Sequence, residues 1–476
     1  MIKKDHKTKT LIATLPLALF LIFQNCQTDH SKTDEIINEE IILDKNTFAN
    51  AYHPPKVRSF PSKTEVINEW IKNRDESKMR AHAWDIWESI NTKAPNGLPI
   101  WENWFSGYEL FVAANSLELR ETIRDFENPA QFFHAAHAKA IPIAPNERPT
   151  SFNKFSPNLA RFIYNHRFND SLNLVKINNA FTKNNTPIID RQISTSKDST
   201  DEFSFALKPV FQFISGDKAS AIPFWAGISA QTTHNLTNPA PDTWRQCVIL
   251  DPTGTYKPGS TVVMSCNGDI PKPWPVVSLD DFYSIKITQA QADSFSVFAE
   301  QSGDDIGANN NSDTTSVKDM VKAGNIAILT AMHVTGKEIP NWTWQTFWWS
   351  PDTQNPVFGK DRPKSIKKPW SNYNMRTAYY MTAPGTLQQP GEPNIQFNPY
   401  LETNLFGTLT HEVGSKDTIR WFGVFSNCMS CHRMAAFGPS TYIPNGYINA
   451  ADTTLFKANT KTDFLWSIPT RATIKK

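Results

Sequence analysis

Hydrophobic positions along this 476-residue chain follow two different periods. After Ser62-Lys63-Thr64-Glu65, a capping-box signature, Val66, Trp70 and Ile71 recur at helical spacing. Trp84, Trp87 and Ile90 continue the stripe until Pro95-Asn96-Gly97 breaks it. Asn128-Pro129 predicts the start of another helix through Ile141. From Asp201 the period moves towards two. Phe203 to Ile214, Thr243 to Leu250 and Thr261 to Cys266 read as strands between Gly, Pro and Asn. Gln301 to Thr315 reads as loop, Ala327 to Val334 and Trp342 to Trp349 as buried strands, and Ser350 to Pro399 as Pro-rich loop. Near the C-terminus Ile419, Phe422, Phe425, Met429 and His432 recur every three or four residues. Ser415 and Asp417 suit the start of that helix, and Gly438-Pro439 its end. The pattern predicts an α+β protein with N-terminal helices, a large β-rich body and a C-terminal helix.

The N-terminus reads as an export signal over residues 1–25. Lys3, Lys4, Lys7 and Lys9 precede an apolar run from Leu11 to Phe23, too short to span a bilayer comfortably. The run ends in Phe23-Gln24-Asn25-Cys26, which resembles a relaxed bacterial lipobox with Cys26 as the lipidated residue. An ordinary signal peptide with an incidental Cys26 is the alternative. Residues 26–57 are polar, acidic in the middle, and close on Pro54-Pro55, as a tether would. Residues 58–476 then form a single large body. The expected location is the periplasm or outer membrane, with the chain held to the membrane through its N-terminal lipid.

Cysteine usage sharpens this picture. Cys428-Met429-Ser430-Cys431-His432 is a C-x-x-C-H run, the attachment signature of a c-type haem. Two thiols one helical turn apart can each bond a haem vinyl group, and the following imidazole can ligate iron. The expectation is one covalent haem c in a segment at about 415–440, with Arg433 either the nearest partner for a propionate or a solvated surface residue. The alternatives are a zinc site, which needs further ligands, and a C-x-x-C redox pair, which usually opens a helix in a thioredoxin-like βαβ unit, a pattern that does not surround this run. Cys247 and Cys266 remain as a candidate disulfide across the turn-forming Asp251-Pro252-Thr253-Gly254.

A sixth iron ligand is not evident, since no Met or His follows Met434. The upstream candidates are His333, His411, Met375 and Met381, and less so His134 with His137, with a five-coordinate iron as the alternative. His411-Glu412-Val413 starts like a zincin but lacks the second histidine, and neither a phosphate loop nor a G-x-S-x-G elbow is present. Lys and Arg total 48 against 46 Asp and Glu, so no charge footprint points to nucleic acid.

Several blocks together resemble a group of large exported monohaem "cytochrome c family" proteins, distinct from the small cytochrome c fold. Trp84-Asp85-Ile86-Trp87 and Trp101-Glu102-Asn103-Trp104 match a W-x-x-W opening. Lys208-Pro209-Val210 and Ile222-Pro223-Phe224-Trp225 follow. Met332-His333-Val334, leading into Pro340-Asn341-Trp342-Thr343-Trp344-Gln345-Thr346-Phe347, is the strongest stretch, and Asn398-Pro399-Tyr400-Leu401-Glu402 precedes the C-x-x-C-H. Trp348-Trp349 stands where that group would show Glu-His. The resemblance implies haem binding and one-electron transfer with an envelope redox partner protein. Two alternatives accompany it: a haem enzyme of peroxide or oxygen chemistry, and a haem-based sensor or binding module. Exposure of Trp101, Trp104, Trp348 and Trp349 would favour the binding module.

Overall fold

A computed structural model of the chain describes residues 53–112, 150–193, 204–227, 244–293, 321–380, 398–401, 412–413, 420–421, 428–438, 456 and 458–475. The architecture is mixed α+β, with N-terminal helices and a central β-rich body.

Helix α1 (Thr64–Lys72) and helix α2 (Glu76–Ile90) lie where the helical stripe predicts them. In α1 the buried pair is Ile67 and Trp70, whereas Val66 is exposed, so the packing face is rotated by one residue from the expected one. The capping box does not form. The Ser62 hydroxyl turns to Ser59 O, and its backbone N–H donates to Glu338 Oε1 instead (2.9 Å). In α2, Trp84, Trp87 and Ile90 are fully buried as the stripe requires. Asp75 caps α2 by accepting from Lys78 N–H.

Eight strands form one antiparallel sheet. In chain order they are β1 (Phe105–Ser106), β2 (Thr150–Ser151), β3 (Lys154–Phe155), β4 (Phe205–Ile214), β9 (Ser284–Lys286), β10 (Ile326–Gly336), β11 (Thr343–Trp349) and β12 (Tyr373–Ala378). The main path runs β1-β3-β4-β10-β11-β12, with β2 on β4 and β9 on β10. Between them in sequence, β5 (Ser220–Pro223), β6 (Cys247–Leu250), β7 (Thr261–Met264) and β8 (Lys272–Val277) make a second sheet ordered β5-β6-β8-β7. Smaller pairs join β13 (Glu412–Val413) to β14 (Arg420–Trp421), and β15 (Ala436–Phe437) to β16 (Thr460–Lys461).

Side chains alternate across the large sheet and divide it into two faces. One face carries Met332, Val334, Phe347 and Met375, and packs on Trp84 and Trp87 of α2. The other is covered by two separate clusters. Val210, Ala331 and Trp348 pack with Trp225, Trp244, Phe358, Tyr400 and Leu401. Trp344 and Ala378 pack with the helices α3 (Gly107–Phe111), α4 (Pro157–Asn165) and α6 (Cys428–His432). Thr330 is an inserted residue between Leu329 and Ala331, a β-bulge that keeps Met332 and Val334 on the inner face. The remaining helices are α5 (Ser171–Lys183) and α7 (Ser467–Arg471).

Three expectations are revised here. The Pro-rich stretch contains a strand, β12, pairing with β11 from Trp344↔Ala378 to Trp349↔Tyr373. The C-terminal helix is five residues long instead of running through Ile419, because Arg420 and Trp421 pair as a strand with Glu412 and Val413. It ends at His432, well before Gly438, as the chain turns into β15. Gly438 has its own role there: a Cβ at that position would lie 2.9 Å from Asn459 Cα. Finally, Trp101, Trp104, Trp348 and Trp349 are all buried, which removes the tryptophan binding surface. The helix expected from Asn128 to Ile141 and the loop Gln301 to Thr315 lie outside the described residues, as do Cys26, the signal and most of the tether.

Cys247 and Cys266 are joined in a disulfide, 19 residues apart, with Cα atoms 6.0 Å apart. Both are buried, and Cys247 is the first residue of β6 in the second sheet. In the chain-entropy picture, closing a loop of that size contributes about 3 kcal/mol. A Cys247→Ala/Cys266→Ala protein is therefore expected to unfold at lower denaturant, by about 3 kcal/mol after extrapolation to water. Stability matching the parent would show that the bridge contributes nothing to the folded state.

No described helix is long and apolar enough to cross a membrane.

Candidate functional site

The C-x-x-C-H run folds as α6, a single helical turn opened by Cys428. Met429 anchors it, fully buried in the cluster around Trp344, and Arg433 N–H closes the turn on Met429 O at 2.9 Å. Cys428 is half-buried against the same cluster and forms no disulfide among the described residues. His432 is four residues on, so it shares a helical face with Cys428.

Contacts from distant elements define the histidine. Its Nδ1 lies 2.8 Å from Phe464 O. A carbonyl can only accept, so Nδ1 carries the proton, and in the neutral ring the basic lone pair is on Nε2. The ring packs on Trp344 of β11, centroids 4.4 Å apart. Trp344 is fixed in turn by its indole N–H, which donates to Asn341 O at 3.0 Å.

Phe464 belongs to an unusual turn. Asp463 and Phe464 both have left-handed backbones, with φ of +49° and +66°. Bulky residues rarely occupy that region, and they persist there only when their surroundings hold them. The holding group is Lys337, in the connection between β10 and β11. Its ammonium donates to both Asp463 carboxylate oxygens (2.8 and 2.9 Å) and to Pro340 O (2.8 Å), and lies 5.0 Å from the centroid of the Trp342 ring. Lys337 and Asp463 are both nearly inaccessible to solvent. Burial pushes Asp463 up to about 6, against the pull of Lys337, and lowers Lys337 against the pull of Asp463. Gly336, just before the lysine, lets the chain pass close to Phe205, since a Cβ there would meet the Phe205 ring at 2.7 Å.

Among the described residues, no group of three or more His, Cys, Asp or Glu side chains is placed to hold a metal ion. This overturns the expectation of one iron-bearing haem c held by Cys428, Cys431 and His432. The cytochrome reading, its one-electron transfer, and the haem-enzyme and haem-sensor alternatives are corrected with it. The side chains put forward as donors are used in other ways. Met375 lies in the core on the sheet face opposite Trp344 and His432. His333 is half-buried on a strand position between Lys208 and Thr346. Cys247 and Cys266 bond each other. Arg433, expected beside a propionate, lies 5.9 Å from the Phe456 ring centroid. His411, Met381, His134 and His137 lie outside the described residues.

Comparison with known proteins returns no matching family model, curated protein or solved structure. The resemblance to large exported monohaem cytochromes is thus corrected by the donor geometry and gains nothing from these comparisons. Its strongest block nevertheless has a structural role. Trp342 and Trp344 are the residues that cradle Lys337 and His432. Lys337, Asp463 and Phe464 were not legible as site residues. A lone Lys and an Asp-Phe dipeptide carry no motif, and only the pairing of segments 126 residues apart gives them meaning.

Away from this turn, a cleft of about 490 Å³ is lined by Trp349, Asp281, Arg362, Lys364 and Lys368 among others. Lys368 pairs with Asp281 there, and burial lowers Arg362 to about 10.

Proposed function

We propose that this chain is an exported, lipid-anchored envelope protein whose working centre is the Cys428–His432 turn, exchanging thiols and disulfides with a redox partner protein. The observation that carries the reading is the placement of Cys428. It opens a helical turn, stands half-buried against the cluster around Trp344, and shares a face with a histidine whose Nδ1 donates to Phe464 O, leaving Nε2 as the basic nitrogen of the neutral ring. Cys431 follows at the C-x-x-C spacing. The signal-like N-terminus and Cys26 support export and anchoring, and the Cys247–Cys266 bridge suits an oxidising compartment.

In this chemistry His432 Nε2 takes the Cys428 proton, and the thiolate attacks one sulfur of the partner's disulfide. A mixed disulfide forms and one partner thiolate leaves. The Cys431 thiolate then attacks the Cys428 sulfur, closing Cys428–Cys431 and releasing the second partner thiolate. Two electrons pass to the partner, and the two protons lost by the site's thiols balance those the partner takes up. The reverse direction uses the same steps.

The test is to equilibrate the purified mature protein in glutathione buffers, quench with a maleimide, and count modified cysteines by intact mass. The expected result is two-thiol interconversion that Cys428→Ser abolishes, with Cys431→Ser accumulating a mixed disulfide. Absence of exchange overturns the proposal. So does an intact mass showing Cys428 and Cys431 already consumed by a covalently attached group.

A further inference from the structure

We infer that Lys337 and Asp463 are positioning residues for His432, acting through the left-handed turn at Asp463-Phe464. The inference rests on reading the Cys428–His432 turn as the working centre, and it names what holds that centre in register.

A carbonyl can fix a histidine's tautomer only if it is itself held in place. Phe464 O is the carbonyl in question, and it projects from two consecutive residues with positive φ. Asp visits that backbone occasionally, but nothing intrinsic to Phe favours it, and two such residues in a row need external support. The pinning comes from outside. The Lys337 ammonium donates to both oxygens of Asp463 and also to Pro340 O, so the side chain of Asp463 is tied to the β10–β11 connection through a lysine that is itself fixed there. Lys337 is itself anchored through its backbone N–H to Ser204 O at 3.0 Å. Trp342 lies beside the ammonium with a positive φ of its own, +64°. The same connection continues into Trp344, whose ring packs on His432. One short stretch, Lys337 to Trp344, therefore holds the imidazole twice: through the ring of Trp344, and through Lys337, Asp463 and Phe464 O.

The other ties run the same way. Thr462 N–H donates to Ala435 O (2.9 Å), Ala435 N–H donates to His432 O (3.0 Å), and Leu465 N–H donates to Thr462 O (3.0 Å). These bonds hold the backbone of 462–465 beside the end of α6. They do not select which peptide carbonyl faces Nδ1, because that depends on the turn at 463–464. A buried ion pair adds little net stability compared with a well-packed apolar pair, so the Lys337–Asp463 pair fits a positioning task better than a stabilising one.

The test uses the mature full chain carrying Lys337→Met. Two readouts are taken: the ring ¹⁵N shifts of His432, which report the tautomer, and the rate of Cys428 alkylation by iodoacetamide across pH. The expected result is a loss of the pure Nδ1–H tautomer and a fall in alkylation rate near neutral pH of about tenfold or more. Should Lys337→Met fail to fold, Lys337→Met/Asp463→Leu leaves no buried charge and serves with the same readouts. A folded variant with the parental tautomer and alkylation rate overturns the inference. Failure of the exchange chemistry appears separately, as a parent protein that does not react with glutathione disulfide while its His432 tautomer still responds to Lys337.

Discussion

Trp87→Ala is expected to lower folding stability by about 3–5 kcal/mol, the range for emptying a fully enclosed aromatic site. Trp87 joins three elements at once. Its ring stacks on Phe347 of β11 at 4.0 Å and 18°, and meets Trp370 edge-on and Tyr373 at a tilt. Its indole N–H donates to Trp370 O at 3.1 Å. Truncation leaves a cavity between α2 and the sheet and removes the donor from that carbonyl. The surrounding rings are themselves wedged and cannot collapse into the space. Guanidinium unfolding reads the effect as a shift in midpoint at unchanged slope. A loss below about 1 kcal/mol would mean that the helix-to-sheet interface does not carry the core. Val66→Ala, on the exposed side of α1, is the matched control and should change stability by no more than about 0.5 kcal/mol.

Glu338→Ala should cost a comparable amount, about 3 kcal/mol or more, by a different route. Glu338 is buried and its Oε1 serves two donors, Ser62 N–H at 2.9 Å and His82 Nε2 at 3.1 Å. His82 reaches on through Nδ1 to the Tyr379 hydroxyl at 2.6 Å, and burial raises that phenol well above its ordinary range. Glu338 Oε1 already accepts from Ser62 N–H, so His82 Nε2–H donates to the same oxygen and Nδ1 accepts from the Tyr379 hydroxyl. The alanine leaves the buried His82 N–H and the half-buried Ser62 N–H without their acceptor, and the cost of that exceeds the small gain from burying a methyl. Glu338→Gln keeps an acceptor in place and should lose much less. A double-mutant cycle with His82→Leu measures the coupling; additivity within about 0.5 kcal/mol would show that the two groups do not share one network.

Both predictions draw on residues whose burial was legible in the chain, though their partners were not. The stripe of Trp84, Trp87 and Ile90 reads as a packing face because one helix repeats every 3.6 residues whatever it meets. Likewise β4 follows from a period near two, and β10 and β11 from apolar or alternating runs that read as buried strands. Where local pattern competed with long-range pairing, pairing won. Tyr373 to Ala378 mixes Asn, Arg and Thr with apolar residues and looks like loop, yet it completes the sheet edge because β11 offers it a ladder. Ile419, Phe422 and Phe425 have helical spacing, yet Arg420-Trp421 pairs with Glu412-Val413. Ser62 has the sequence of a cap, but Glu338, far along the chain, takes its N–H.

The same division holds at the candidate site. By itself the sequence determined that Cys428, Cys431 and His432 share one turn, because their spacing is a local property, and it offered Cys247 and Cys266 as a candidate disulfide, which the structure closes. Tertiary structure decided what surrounds that turn. It set Phe464 O on His432 Nδ1, Trp344 on its ring, and Lys337 on Asp463, and it withheld from the described residues a group of ligands able to hold a metal. Those outcomes depend on bringing together segments separated by 32 to 126 residues. Local propensity carries no record of such distances, whereas the register of β10 on β11 and the left-handed turn at Asp463-Phe464 settle them.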